Sequence, residues 1–208
     1  YKRGDIQQSY IAFQNLLPDK NYNRISHSNY LIAPFALELL GSYYTAGYLS
    51  SQKKEIHEEL RYSMAAPSRL VQAVAYRVAG QICAYENGWN DPQVSDYFKK
   101  SLNLFRCFSA PPDMAKTLLE LARLYQTNGM KQKANEVALE AKEICQEYGQ
   151  PFWLNELKNL PVTSAHFSPA PEIESFDIKL QLLHNIRFQA TFSTNSNILS
   201  NLLVSLLT

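Results

Sequence analysis

Small residues recur in this chain at a spacing of roughly 40 residues, at Gly41, Gly80 and Ala122. Each sits in an apolar helical pattern and is followed by aromatic residues and a glycine-bearing turn (Gly47, Gly88, Gly129). Beyond each turn a second amphipathic stretch begins. A small residue in mid-helix lets another helix lie close against it, and a glycine at a helix end accepts the left-handed backbone that stops the helix. Repetition at this period favours architectures in which helix pairs stack and share a core, because one pair cannot bury its apolar face alone. The spacing predicts an all-α protein.

The third unit is the most regular. Leu118, Leu121, Ala122 and Tyr125 recur at i, i+3, i+4 and i+7, one face of a helix. After Gly129, the small face Ala134, Val137, Ala138, Ala141 and Cys145 marks the partner helix, which Gly149 and Pro151 stop. One unit earlier, Tyr76, Ala79 and Gly80 precede Gly88, and Val94, Phe98 and Ser101 follow a helix start at Asp91-Pro92. Pro111-Pro112-Asp113 reads as the separator between these two units. In the first full unit, Leu37, Leu40, Gly41 and Tyr44 precede Gly47, and Ile56, Leu60 and Met64 mark the second helix before Pro67. Ahead of it, Gly4 followed by Ser9, Phe13 and Leu16 reads as the second half of a further unit, so the chain is expected to begin inside one. Residues 19–30 read as a polar connector.

The pattern changes after residue 150. Trp153, Leu154 and Leu157 are expected to close the open end of the last unit, giving a repeat domain over 1–160. The proline-rich stretch 161–171 reads as a linker. In the remainder, 172–208, Ile186, Phe188, Ala190 and Phe192 alternate as a strand would. Leu199, Leu202, Leu203, Leu206 and Leu207 instead form a helix seam. The segment is read as mostly helical, leading into a further domain, with its leucine stripe covered by that domain or by a second copy in a homodimer.

Composition narrows the function classes. A net charge of +1 gives no bulk field towards nucleic acid or an acidic membrane, and no run is apolar over the ~18 residues that a membrane span needs. The pairs Lys53-Lys54 and Lys99-Lys100 read as solvated helix faces, as does the acidic group Glu55, Glu58 and Glu59. Three widely spaced cysteines, Cys83, Cys107 and Cys145, form neither a disulfide framework nor a metal motif. They read as small buried hydrophobes in a reducing, cytoplasmic setting. The four histidines stand singly, His57 as an exposed helical residue, and no phosphate-binding, zinc-protease or nucleophile-elbow motif is present. Neither an enzyme, a cofactor nor a metal is expected. Trp89 and Trp153 read as packing residues, as do Tyr44, Tyr76 and Tyr125, while Tyr43, Tyr48 and Tyr85 lie beside turns where a ligand groove would pass.

Leu121, Ala122, Tyr125, Gly129, Ala134, Ala138 and Ala141 stand at the places that define the tetratricopeptide repeat, which this unit resembles. The array, with its longer period and the closing Tyr148-Gly149-Gln150-Pro151-Phe152-Trp153-Leu154, is similar to the degenerate repeats of large bacterial regulators. These include signal-transduction ATPases and LuxR-type or sigma-54-dependent transcription activators. The resemblance implies a right-handed solenoid of helical hairpins with a C-terminal linker helix. It further implies a non-catalytic interaction domain that passes partner binding to a sensory or output domain. By the register of the motif, Glu38, Ser42, Thr45, Arg77, Gln81, Tyr85, Lys116, Arg123, Gln126 and Thr127 point into the groove. Arg77, Gln81, Tyr85, Lys116, Arg123, Gln126 and Thr127 are the candidate residues for a protein or peptide partner, with no direct nucleic-acid or membrane contact. Two other readings stand beside this one: a peptide-binding adaptor with a basic clamp built from Arg77, Lys116 and Arg123, and a structural oligomerisation domain.

Overall fold

The computed structural model of the 208-residue chain describes Tyr10, Ile11, residues 33–158 and Leu160. The expected half-unit around Ser9, Phe13 and Leu16, the connector 19–30, the linker 161–171 and the segment 172–208 lie outside these residues. Seven α-helices run through the described part: α1 (Ala33–Thr45), α2 (Lys53–Met64), α3 (Arg69–Asn87), α4 (Pro92–Cys107), α5 (Pro111–Thr127), α6 (Lys131–Glu147) and α7 (Pro151–Lys158). A single 3-10 turn, Ser50–Gln52, precedes α2, and no strand occurs among the described residues. None of the helices is long and apolar enough to cross a membrane.

Local chemistry explains where these helices begin. The Ser68 hydroxyl accepts a hydrogen bond from the Val71 amide at the start of α3, and the Asp91 carboxylate accepts one from the Gln93 amide at 2.8 Å at the start of α4. Pro92 occupies the first turn of α4, where an amide hydrogen would have no partner. The same physics corrects one boundary. Pro111 and Pro112 do not separate units but form the first turn of α5, which starts three residues earlier than the apolar pattern suggests.

Where the helices end, one arrangement recurs four times. The amides of Tyr48, Ala110, Met130 and Gln150 return to the carbonyls of Tyr43, Phe105, Tyr125 and Cys145, each closing the last turn over five residues. The residue before each of these amides takes a positive φ. At Gly129 it is +73°, a conformation that costs glycine nothing; at the end of α4 the same place is held by Ser109, at +52°.

Helices α3 and α4 form one tight hairpin and α5 and α6 another, with α4 packed on α5 and α7 closing on α6. Both mid-helix glycines of the repeat lie at a close approach. A Cβ on Gly80 would stand 2.6 Å from the Phe98 ring of α4, and one on Gly41 would stand 2.7 Å from Val78 Cγ1 of α3. The two glycines therefore serve different contacts. Gly80 admits the partner helix of its own hairpin, whereas Gly41 admits the first helix of the next unit. Accordingly α1 packs chiefly on α3 rather than on α2. Ala122 is fully buried.

Two apolar clusters result. One gathers Leu37, Leu40, Ile56, Val74, Val78 and Phe105; the other gathers Phe98, Leu118, Leu121, Ala138, Cys145 and Leu157. Trp153 and Leu154 pack against the second, as expected for a closing helix. Trp89 stacks on Phe98 with ring centroids 6.3 Å apart, and its carbonyl accepts from Asn128, so it anchors the turn. Three sequence expectations need correcting. Glu59 is fully buried rather than part of a solvated acidic face, Tyr43 lies in the core rather than beside a groove, and Cys107 is exposed while Cys83 and Cys145 are buried.

Candidate functional site

The odd-numbered helices contribute polar side chains that bond to one another from unit to unit. Their centre is Arg77 on α3, 2% exposed. One guanidinium nitrogen donates to the Asp113 carbonyl at 3.1 Å and the Thr117 hydroxyl at 3.3 Å. The other donates to the Glu38 carboxylate and, at 3.0 Å, to Asp113 Oδ1. The guanidinium also lies over the Phe105 ring, 4.9 Å from its centroid. Lys116 completes this rung by reaching Glu38 at 3.2 Å and Asp113 at 3.4 Å, with its ammonium over Trp153 of α7.

Electrostatics follow from this geometry. Burial works to lower the Arg77 pKa, but Glu38 and Asp113 outweigh it and hold the guanidinium more firmly protonated than usual. Burial likewise opposes ionisation of Asp113. The opposite charges of Lys116 and Arg77 win, and its pKa lies below the ordinary carboxylate value.

A second rung runs alongside. Gln81 donates to Glu120 Oε1 at 2.9 Å, Arg123 reaches the same oxygen at 3.2 Å, and its other nitrogen reaches Glu156 of α7 at 2.7 Å. Further along the same helices lie Tyr85, 56% exposed, half-buried Gln126, and exposed Thr127, whose hydroxyl donates back to the Arg123 carbonyl. On α1, Ser42 and Thr45 likewise turn their hydroxyls to carbonyls of their own helix.

The structure thus places Arg77 and Lys116 in one rung and Gln81 and Arg123 in the other. It also changes what they offer. Arg77 does not face a groove as the motif register implies; it is buried beneath its partners, because its side chain meets the next unit instead of solvent. The three cations of the two rungs, Arg77, Lys116 and Arg123, stand against four carboxylates, Glu38, Asp113, Glu120 and Glu156, leaving three minus four, or one negative charge.

Sequence reasoning missed a second convergence at Glu86. Its carboxylate accepts from the Tyr44 hydroxyl of α1 and stands 3.1 Å from both His57 and Lys53 of α2. Burial opposes ionisation here too, but these three hydrogen bonds together hold the Glu86 pKa below its ordinary value. Burial and then the Glu86 bond push the Tyr44 phenol well above the normal tyrosine range. No local signal pointed to this site, since His57 and Glu86 are 29 residues apart. Among the described residues no group of three or more His, Cys, Asp or Glu is placed to hold a metal ion. No protein family, curated protein or solved structure matches the chain.

Proposed function

We propose that this chain is a non-catalytic protein-interaction module, a tetratricopeptide-like solenoid whose inner face is built by α1, α3, α5 and α7 and binds a protein or peptide. One observation carries the reading. Alternate helices bond to one another through polar side chains in two rungs, Glu38 with Arg77 and Lys116 across α1, α3 and α5, and Gln81 with Glu120, Arg123 and Glu156 across α3, α5 and α7. The pair of rungs between them crosses every boundary from α1 to α7 and holds side chains in fixed positions, which lowers the cost of ordering them when a partner binds. Its accessible members, Lys116 and Arg123 with Tyr85, Gln126 and Thr127 beside them, offer hydrogen bonds and an aromatic face suited to an extended peptide. Arg77 serves as the keystone beneath them.

The setting we propose is a regulatory protein of the bacterial signal-transduction or transcription-activator class, in a reducing cytoplasm, with partner binding relayed through 172–208 to a further domain. The adaptor alternative is weakened in one respect. A clamp for a terminal carboxylate needs cations to spare, and all three candidates are already paired with carboxylates.

Selection of random displayed peptides on the full chain tests the proposal. Binders should lose affinity by about tenfold or more with Arg123→Glu, as expected when a charged contact is reversed. Lys133→Glu, on the exposed side of α6, should leave them unchanged. A pool of binders indifferent to Arg123→Glu would refute the inner face as the binding surface.

A further inference from the structure

Helices α2 and α4 both pack on α3 but not closely on each other. The space between them is a cavity of about 300 Å³. We propose that this cavity binds a small amphipathic carboxylate, an acid group carried on a short apolar body the size of a single ring. It lies apart from the inner-face network and does not depend on that reading.

The floor and walls supply the apolar part. Leu60 of α2 and Ala79 of α3 are buried, Met64 is half-buried, and the Cys83 thiol, nearly buried, lines the same space. Burial, with Asp91 nearby, raises the Cys83 pKa and keeps the thiol in its neutral form, so it adds no negative charge to the wall. A volume of this size is at the lower end of the ~300–1,000 Å³ found for ligand pockets and exceeds the ~150 Å³ that encloses a benzene.

The rim supplies the charge selectivity. Arg61 lines the cavity and is exposed, and among the described residues no carboxylate pairs with it. Its guanidinium rests over the Tyr62 ring, 4.8 Å from the centroid. Gln93 brings an exposed amide from α4 to the same opening. The one carboxylate in the lining, Glu86, is already engaged by Tyr44, His57 and Lys53. Among the lining residues Arg61 stands against Glu86 alone, and because Glu86 is held by Lys53 and His57, Arg61 is the cation at this opening that has no carboxylate partner among the described residues. A planar guanidinium without a carboxylate partner among the described residues, on a residue that lines an otherwise apolar space, favours a carboxylate with an apolar body over either half alone.

Nuclear magnetic resonance titration of the full chain with 3-phenylpropionate and with the uncharged 3-phenylpropanol tests this. The acid should shift the signals of Leu60, Ala79 and Cys83 saturably, and the alcohol should bind about tenfold more weakly, the loss expected for one charge-assisted contact. Arg61→Gln, an exposed change, should weaken the acid to the level of the alcohol and leave the alcohol as it was. Equal affinity for the two probes, shifts that grow without saturating, or an Arg61→Gln chain that keeps its preference for the acid would each overturn the proposal.

Discussion

At the scale of single residues, the two arginines of the rungs make opposite predictions. Arg77 is buried with two carboxylates as partners, and Arg77→Met would leave Glu38 and Asp113 to Lys116 alone and should cost about 1.5–3 kcal/mol. Arg123 is about a third exposed, and its pairs lie where water screens them. Arg123→Gln should therefore cost less than about 1 kcal/mol. Urea unfolding of the two variants decides the matter, and equal losses would mean that Arg77 is not the keystone. Asp113 and Glu86 both have folded-state pKa values depressed below their unfolded ones. Their contribution to stability is thus present above the unfolded carboxylate range and is lost as pH falls through the folded values. Native stability should decline below about pH 4, and Arg77→Met should flatten that decline because Asp113 loses one source of its depression.

The depth of Arg77 also marks how far the sequence could be read. Helical register put Arg77 towards a groove and gave no sign of what covers it. That depends on Glu38 and Asp113, 39 and 36 residues away, and such separations leave no trace in a periodic pattern. Glu86 escaped notice for the same reason. Lys116, Gln81 and Arg123 were legible as sharing a face, because one helix of each repeat must turn the same way.

At the scale of elements, the repeat positions were the most legible part, since a small residue in the middle of an apolar helical stripe points directly to a close approach between helices. Alanine normally favours a helix over glycine by ~0.5–1 kcal/mol, yet Gly80→Ala should destabilise by about 1–3 kcal/mol because the new methyl would meet Phe98. Pairing it with Phe98→Leu should recover part of the loss, and simple additivity of the two changes in thermal unfolding would contradict the contact. The end of α4 was not legible. Gly47, Gly129 and Gly149 announce themselves, but Ser109 plays the same part with a residue that carries no such signal. Ser109→Gly should relieve the left-handed strain and raise stability by up to about 1 kcal/mol, and a fall in melting temperature would show that the serine is not strained.

At the scale of the whole molecule, the helix pairs are joined in two ways, by apolar packing and by polar bonds, most of them between the odd-numbered helices but with the exposed Arg106–Glu140 pair joining α4 to α6. The first follows from composition and period, and it explains why helices over the described residues were predictable from the spacing of small and apolar residues. The second gathers its more buried ion pairs on the odd-numbered helices, and on those rests the claim that this inner face reads a partner. The most direct test is chemical-shift mapping of a selected peptide onto the full chain. The shifted signals should cluster on Tyr85, Lys116, Arg123 and Thr127. Shifts gathered instead on exposed positions of the even-numbered helices, such as Lys99, Arg106 and Leu139, would contradict that claim.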